Sequence, residues 1–213
     1  MDLNKLNEKF YLKTQEYFNT SRQFYWEGWE KLLPYLQDLQ GETLKVLDLG
    51  CGNGRFGKWL AEHKTIDYTG IDNNQYLLDR ASESLPQAKL INQDILKPWT
   101  IKDKFDLVAI LSVMHHLPKI NRAPLLKCAA ARLAPNGILF LSFWEFNRSQ
   151  ESKIVKDLGG NDYILDWHLG VHAKRYCHLY TQKEINELIK PLKLKLLANF
   201  SADTSNRYLI LLK

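Results

Sequence analysis

Val46-Leu47-Asp48-Leu49-Gly50-Cys51-Gly52-Asn53-Gly54 is a short apolar strand pattern running straight into a D-x-G-x-G-x-G turn, with helix-like sequence after it. A backbone that must turn sharply at φ > 0 and let a ligand approach closely has no room for a Cβ, and glycine supplies both freedoms. Two kinds of ligand suit such a turn. One is a dinucleotide, because Gly52-Asn53-Gly54-Arg55-Phe56-Gly57 matches G-x-G-x-x-G and Asp72 follows Gly52 by 20 residues. Asp48 stands against it, since a pyrophosphate there would meet an uncompensated carboxylate. A cationic ligand would be attracted. The glycines also start at Gly50, two residues before the dinucleotide register. A turn whose glycines serve only packing is the third possibility.

Working outward, Asp72 closes a second strand in Tyr68-Thr69-Gly70-Ile71-Asp72, and Asp94 closes a third in Asn92-Gln93-Asp94-Ile95. A carboxylate in the place of Asp72 can accept both hydroxyls of a ribose. Asp94 can meet an adenine amino group while Ile95 packs on the ring. A lone aspartate after a strand is commonly a cap or turn former. Three of them, at the ends of three successive strands and one joined to a glycine turn, point together to a positively charged nucleoside. S-adenosyl-L-methionine, with an ammonium, a sulfonium and no phosphate, meets that description. Its expected contacts are Asp48, Gly50, Cys51, Gly52, Gly54, Asp72, Asn73, Asp94, Ile95 and Leu111.

The wider chain alternates short β-branched runs with longer amphipathic segments, which builds a parallel sheet covered by helices on both faces. Strands are expected at Lys45 to Leu49, Asp67 to Asp72, Ala88 to Gln93, Phe105 to Leu111, Gly137 to Trp144, Lys193 to Phe200 and Arg207 to Lys213. Helices are expected near 54–64, 74–84 and 119–134, the last stopped by Pro135-Asn136-Gly137. Ser201 to Asn206 is too short for a parallel crossover, so the last two strands form an antiparallel hairpin. One domain follows. It comprises an aromatic helical leader (1–44) packed over the open top of the sheet, a cofactor core (45–146), an irregular substrate-side insertion (147–180), and a helix with the hairpin (181–213).

Composition narrows the class. With 45% apolar and 25% charged residues over 213 positions, and 11 Gly and 7 Pro, this is an ordinary globular chain rather than a disordered or collagenous one. No apolar run approaches the roughly 20 residues that span a bilayer, and Met1 to Phe10 is too polar for a secretory signal, so no membrane association and a cytoplasmic location are expected. Three cysteines without a C-x-x-C pattern argue against a disulfide framework. The net charge of +5 permits an anionic partner such as RNA.

His115 and His116 follow the fourth strand, and at a strand end one of two neighbours faces the ligand; His116 is the expected one. His168, His172, Cys177 and His178 lie within eleven residues and suggest zinc. The i, i+4 spacing of the first two presents them together only on a helix, and Gly170 interrupts one, so no metal is expected.

The core motifs resemble those of class I S-adenosylmethionine-dependent methyltransferases. Phe105-Asp106-Leu107-Val108 with Val113-Met114-His115-His116-Leu117 is similar to that family's fourth motif, and Leu133-Ala134-Pro135-Asn136-Gly137-Ile138-Leu139 to the lead-in of its fifth strand. The resemblance implies an α/β, Rossmann-like, doubly wound sheet of seven strands, mostly parallel with one antiparallel strand. Y-x6-F-N-x-S-R at Tyr11, Phe18, Asn19, Ser21 and Arg22 resembles the leader of the tRNA wobble-uridine methyltransferases that esterify 5-carboxymethyluridine. Phe143-Trp144-Glu145, Arg175-Tyr176-Cys177-His178-Leu179-Tyr180 and Asp203-Thr204-Ser205-Asn206 are similar to other elements of that group. Phe24-Tyr25-Trp26 and Cys177 depart from its pattern.

That likeness implies a carboxylate acceptor on tRNA held by Arg22, Arg175 and His178, with no general base, and a small zinc-binding activator subunit as a partner. Tyr25, Trp26 or Tyr176 would stack on a base, and the basic excess from Lys174 to Lys195 would follow RNA backbone. Two alternatives stand beside it. One is a small-molecule methyltransferase with His116 as base. The other is a non-catalytic subunit that binds cofactor or RNA to support a partner.

Overall fold

Strand β1 (Thr43–Leu49) alternates exposed and buried residues at its start and is buried throughout its second half, as a strand does when it dives into a sheet covered on both sides. In the computed structural model, which describes residues 1–37, 39, 41–145 and 153–213, it pairs in parallel with β2 (Thr65–Asp72) on one side and β4 (Phe105–Ile110) on the other. Beyond β2 lies β3 (Lys89–Asn92), and beyond β4 lies β5 (Leu133–Trp144), both in parallel. The insertion adds β6 (Ile154–Gly159), β7 (Asp162–Trp167) and β8 (Ala173–His178), and the chain ends in β9 (Lys195–Ala202) and β10 (Asn206–Leu212). Among the described residues the main sheet has seven strands in the order β3-β2-β1-β4-β5-β10-β9, with β10 antiparallel to both neighbours. The mostly parallel α/β sheet with one antiparallel strand is as expected.

Successive residues of the central strands feed two cores. Leu47, Leu49, Val108, Leu139 and Leu209 face helices α6 (Lys119–Arg132) and α7 (Gln182–Ile189) through Leu125, Leu126 and Ile185. Val46, Leu107, Ile138 and Tyr208 face helix α4 (Arg55–Ala61) through Phe56 and Trp59. Helix α5 (Gln75–Ser84) joins β2 to β3. Each central position is fully buried, and one fully buried aliphatic side chain contributes roughly 1.5–3 kcal/mol.

The leader does two jobs rather than one. Helix α1 (Leu3–Ser21), capped by Asp2, crosses the open top of the sheet and docks on β8. The short helices α2 (Glu27–Glu30) and α3 (Leu33–Leu36) instead insert Trp29, Leu32 and Leu36 into the second core on a face of the sheet. The irregular insertion is corrected as well. Residues 154–178 form a three-stranded antiparallel sheet β6-β7-β8; the part of that expectation at 147–152 lies outside the described residues. Pro135-Asn136-Gly137 ends α6, yet these residues already belong to β5, where Asn136 has φ 61° and the register with β4 shifts.

The chain runs from β1 outward through β2 to β3 and then returns to β4 beside β1. The loops after β1 and β4 therefore diverge and leave a crevice at the carboxyl ends of the strands.

Candidate active site

A cavity of about 890 Å³ opens at this crevice, walled by the loops after β1, β2, β3 and β4, by α1 and by the small sheet. Its floor is the glycine turn. Gly50 and Gly52 have φ of 78° and 53°, and a Cβ on Gly50 would stand 2.4 Å from the Val113 side chain. Gly54, expected to touch the ligand, does not line the cavity. It has φ 72° at the start of α4, where a Cβ would press within 2.9 Å of Ala81, so it serves helix packing.

Of the carboxylates that line the cavity, three stand at or just past strand ends, as the sequence suggested. Asp48 is buried and accepts the Tyr68 hydroxyl at 2.6 Å; burial pushes its carboxyl up to about 7, the Asp72 charge adding to the rise and the Tyr68 bond opposing it. Asp72 accepts the Gly52 amide on one oxygen and the Asn74 amide on the other, both at 2.9 Å. Burial raises its pKa too, against those backbone bonds. Each Asp72 oxygen retains a lone pair for a further donor. Asp94 accepts the Leu96 amide at 2.9 Å, acting as a turn former while it lines the cavity. Cys51, Asn73, Ile95 and Leu111 line it also. Two acids with raised pKa values, Asp48 buried and Asp72 half-buried, above a glycine-rich floor fit a cationic nucleoside.

The opposite wall is basic and aromatic. Arg175 packs its guanidinium over Trp144 at 5.0 Å and over Phe10 and Trp167, both at 5.4 Å, while its Nε is buried without a hydrogen-bond partner among the described residues. Arg22 lies over Phe18 at 5.3 Å and its guanidinium bonds only to Ser21 among the described residues. Burial lowers its pKa, and the Arg175 charge adds to this against an opposing pull from Tyr11. Among the described residues neither arginine has a carboxylate within ion-pair distance.

His115 and His116 both line the cavity, since they sit on a 3-10 turn (Met114–His116) and not at a strand end; their ring centroids are 4.2 Å apart. His116 Nδ1 faces the Tyr176 carbonyl at 3.0 Å, so Nδ1 carries the proton and donates. Its Nε2 then accepts the Tyr11 hydroxyl at 2.9 Å. Burial, with the Arg175 charge adding, brings His116 down to about 3, and burial raises Tyr11 to about 12. The ring is neutral at any ordinary pH.

His178 is not in the cavity. It points to the other side of β8, where Nδ1 meets Asp162 at 2.6 Å and Nε2 lies 3.3 Å from Glu184. Asp162 also accepts Arg122 at 3.1 Å and the Tyr176 hydroxyl at 2.5 Å, so Tyr176 is fully buried and offers no stacking face. Strand alternation explains the split, because Arg175 and Cys177 face His116 while Tyr176 and His178 face away. Tyr25 bonds Glu62, and Trp26, under Arg55 at 4.5 Å, lines the cavity.

Sequence reasoning missed Asn7. Its amide donates to the His116 and Tyr176 carbonyls at 3.0 and 3.1 Å and accepts the Tyr176 amide at 2.7 Å, latching α1 to both walls. A polar residue on the apolar face of a helix was the signal.

Residues 19–198, most of the chain and all of the crevice's strands, match the methyltransferase domain family. The chain belongs to that family. The match and the acid-ringed floor make it a class I S-adenosylmethionine-dependent methyltransferase. It is 28% identical over 200 residues to a protein of Encephalitozoon cuniculi that carries a methyltransferase name, covering 92% of this chain and 90% of that one. A ubiquinone biosynthesis O-methyltransferase of Coxiella burnetii is 37% identical over 141 residues, 63% of this chain and 57% of that one. The solved magnesium protoporphyrin IX methyltransferase of Synechocystis PCC 6803, with bound SAH, superposes with a TM-score of 0.63 at 21% identity, covering 86% of this chain and 78% of that one. Among the described residues no helix is long and apolar enough to cross a membrane.

Proposed function

We propose that this methyltransferase esterifies a carboxylate carried by a modified tRNA wobble uridine. The observation that carries the reading is the pair Arg22 and Arg175, two guanidiniums on the cavity wall with no carboxylate partner among the described residues. A desolvated arginine left without an anion is costly, and a substrate carboxylate or phosphate relieves that cost through charge-assisted bonds.

The donor set fits the cofactor. Asp48 would hold its ammonium, Asp72 its ribose, and Asp94 with Ile95 its adenine. Bound there, S-adenosylmethionine supplies a methyl carbon activated by positive sulfur. What remains for the protein is placement. Arg22 and Arg175 orient the acceptor oxygen, α1 and the small sheet exclude water, and the rate follows from holding nucleophile and methyl carbon in line at about 3 Å. A carboxylate is already ionised, so no proton has to be removed. That suits His116, whose pKa of about 3 makes it a feeble base. Trp26 offers an aromatic face for the base of the acceptor nucleotide.

A second reading rests on the Tyr11–His116 hydrogen bond, which in a small-molecule O-methyltransferase would accept a hydroxyl proton through the tyrosine. Methyl-labelled cofactor incubated with bulk tRNA, with and without cell extract to supply an activator subunit, separates the two. Label on tRNA that mild alkali releases supports the ester. Alkali-stable label, or label only on metabolites, overturns it, and no transfer at all favours a supporting subunit.

A further inference from the structure

We infer a divalent transition-metal site at the tip of the β7–β8 hairpin, formed by Asp166, His168 and His172. It lies apart from the acid-ringed floor and does not depend on the acceptor. His168 Nε2 is 3.5 Å from one oxygen of Asp166 and His172 Nε2 is 3.0 Å from the other. The two imidazoles lie parallel, 3° between planes and 4.8 Å between centroids, and all three candidate donor atoms fall within 4.8 Å of one another. Zinc bound tetrahedrally at about 2.0–2.1 Å sets its ligand atoms roughly 3.3–3.4 Å apart. The two carboxylate distances, each to a different oxygen, lie close to that edge, and the stacked rings, both exposed, must tilt toward each other to converge on one ion.

Gly170, which speaks against a helix between the histidines, is what builds the site. Its φ of 71° closes a tight turn, so residues four apart stand side by side at the hairpin's end. The turn is braced from both ends: the Trp167 indole donates to the Leu169 carbonyl at 3.0 Å, and Lys13 of α1 donates to the His172 carbonyl at 2.8 Å. Asp166 is the ligand that the sequence did not reveal. Cys177 and His178 drop out of the set, the first beside His116 and the second bound to Asp162.

Two imidazoles and one carboxylate select a borderline ion such as zinc over magnesium or calcium. With both histidines more than half exposed, water completes the coordination. The ammoniums of Lys13, bonded to the His172 carbonyl, and of Lys174, opposite Asp166 in register, lie within a Debye length of about 8–10 Å and weaken the site, although both residues are exposed to water. A micromolar site follows rather than a structural one. Trp167 and Leu169 at this tip also line the cavity, so an ion here would stiffen one cavity wall.

The test is zinc titration by calorimetry of the full, tag-free chain after chelator treatment. One equivalent is expected to bind, with affinity falling at least about tenfold in His168→Ala and in His172→Ala. Both histidines are exposed, so the variants should unfold at the wild-type temperature. Cys128→Ser, which removes the exposed thiol, should bind as the wild type does. Cobalt in place of zinc should show ligand-field bands without a thiolate charge-transfer band. Uptake below about a tenth of an equivalent, binding that survives in the double histidine variant, or loss of binding in Cys128→Ser would each overturn the site.

Discussion

Replacing Asp48 with Asn separates the electrostatic cost of the cofactor site from its use. Asp48 is 2% exposed and burial holds its carboxyl at about 7, against 3.8 in an open chain. The folded state therefore keeps this proton more tightly than the unfolded one. The group's contribution is most favourable below pH 3.8, is lost as pH rises from there to about 7, and stays lost above. At about 1.4 kcal/mol per pKa unit the whole loss is about 4 kcal/mol, of which about 2.5 kcal/mol falls between pH 5 and pH 8. The carboxamide oxygen of the Asp48→Asn variant would still accept the Tyr68 hydroxyl, while its amide hydrogens go unpaired at a cost of about 1–3 kcal/mol that does not vary with pH. Urea denaturation without cofactor, on wild type and Asp48→Asn at both pH values, isolates the titration of Asp48 with its coupling to Asp72, since groups not coupled to Asp48 cancel between the two proteins. The stability gap is expected to move in favour of the variant by about 2.5 kcal/mol from pH 5 to pH 8, while the variant binds the cofactor more weakly. A gap constant to within about 0.5 kcal/mol would refute the raised carboxyl, and with it the idea that a bound cation relieves a strained charge.

The other expectations concern the remaining walls. Arg175→Met keeps the aromatic packing but removes the charge, so kcat/KM toward the acceptor should fall about 100-fold with cofactor affinity unchanged within about twofold, as steady-state kinetics and calorimetry would show. Since His116 stays neutral down to about pH 3, kcat/KM for a carboxylate acceptor, measured with saturating cofactor so that Asp48 does not enter, should be level from about pH 5.5 to 8.5; a limb rising through that range would indicate a base. Asp162→Asn leaves the buried Arg122 without its ion-pair partner and should cost about 3 kcal/mol in denaturation while leaving cofactor affinity intact. Gly54→Val forces a β-branched residue to φ 72° against Ala81 and should lower stability by at least about 2 kcal/mol, read as a shift in the urea midpoint.

The sheet and the strand-end residues that line the cavity are legible in the sequence because their signals are local. Glycines after a buried run, and an aspartate at the end of each of three strands, follow from backbone geometry within a few residues of each position. The small sheet is not legible. Its strands carry Lys156, Asp157, Lys174 and Arg175 among apolar residues, and its outer strand β6 is largely exposed, so the two-residue period is weak. That weakness accounts for the error at His178. Read as a strand, 173–178 places Arg175 and His178 on opposite faces, whereas read as a loop it lets both reach one substrate. Helical spacing is the wrong rule for His168 and His172 for the same reason. The latch at Asn7 depends on carbonyls 109 and 169 residues away and has no local trace beyond its polarity.

Calorimetric titration of the purified chain with S-adenosylmethionine tests the central claim most directly. One equivalent should bind with micromolar affinity, weaken at least about tenfold in Asp72→Ala, and find no counterpart in a titration with a nicotinamide dinucleotide. Absence of heat with the sulfonium nucleoside, or saturable binding of the dinucleotide in its place, would contradict it.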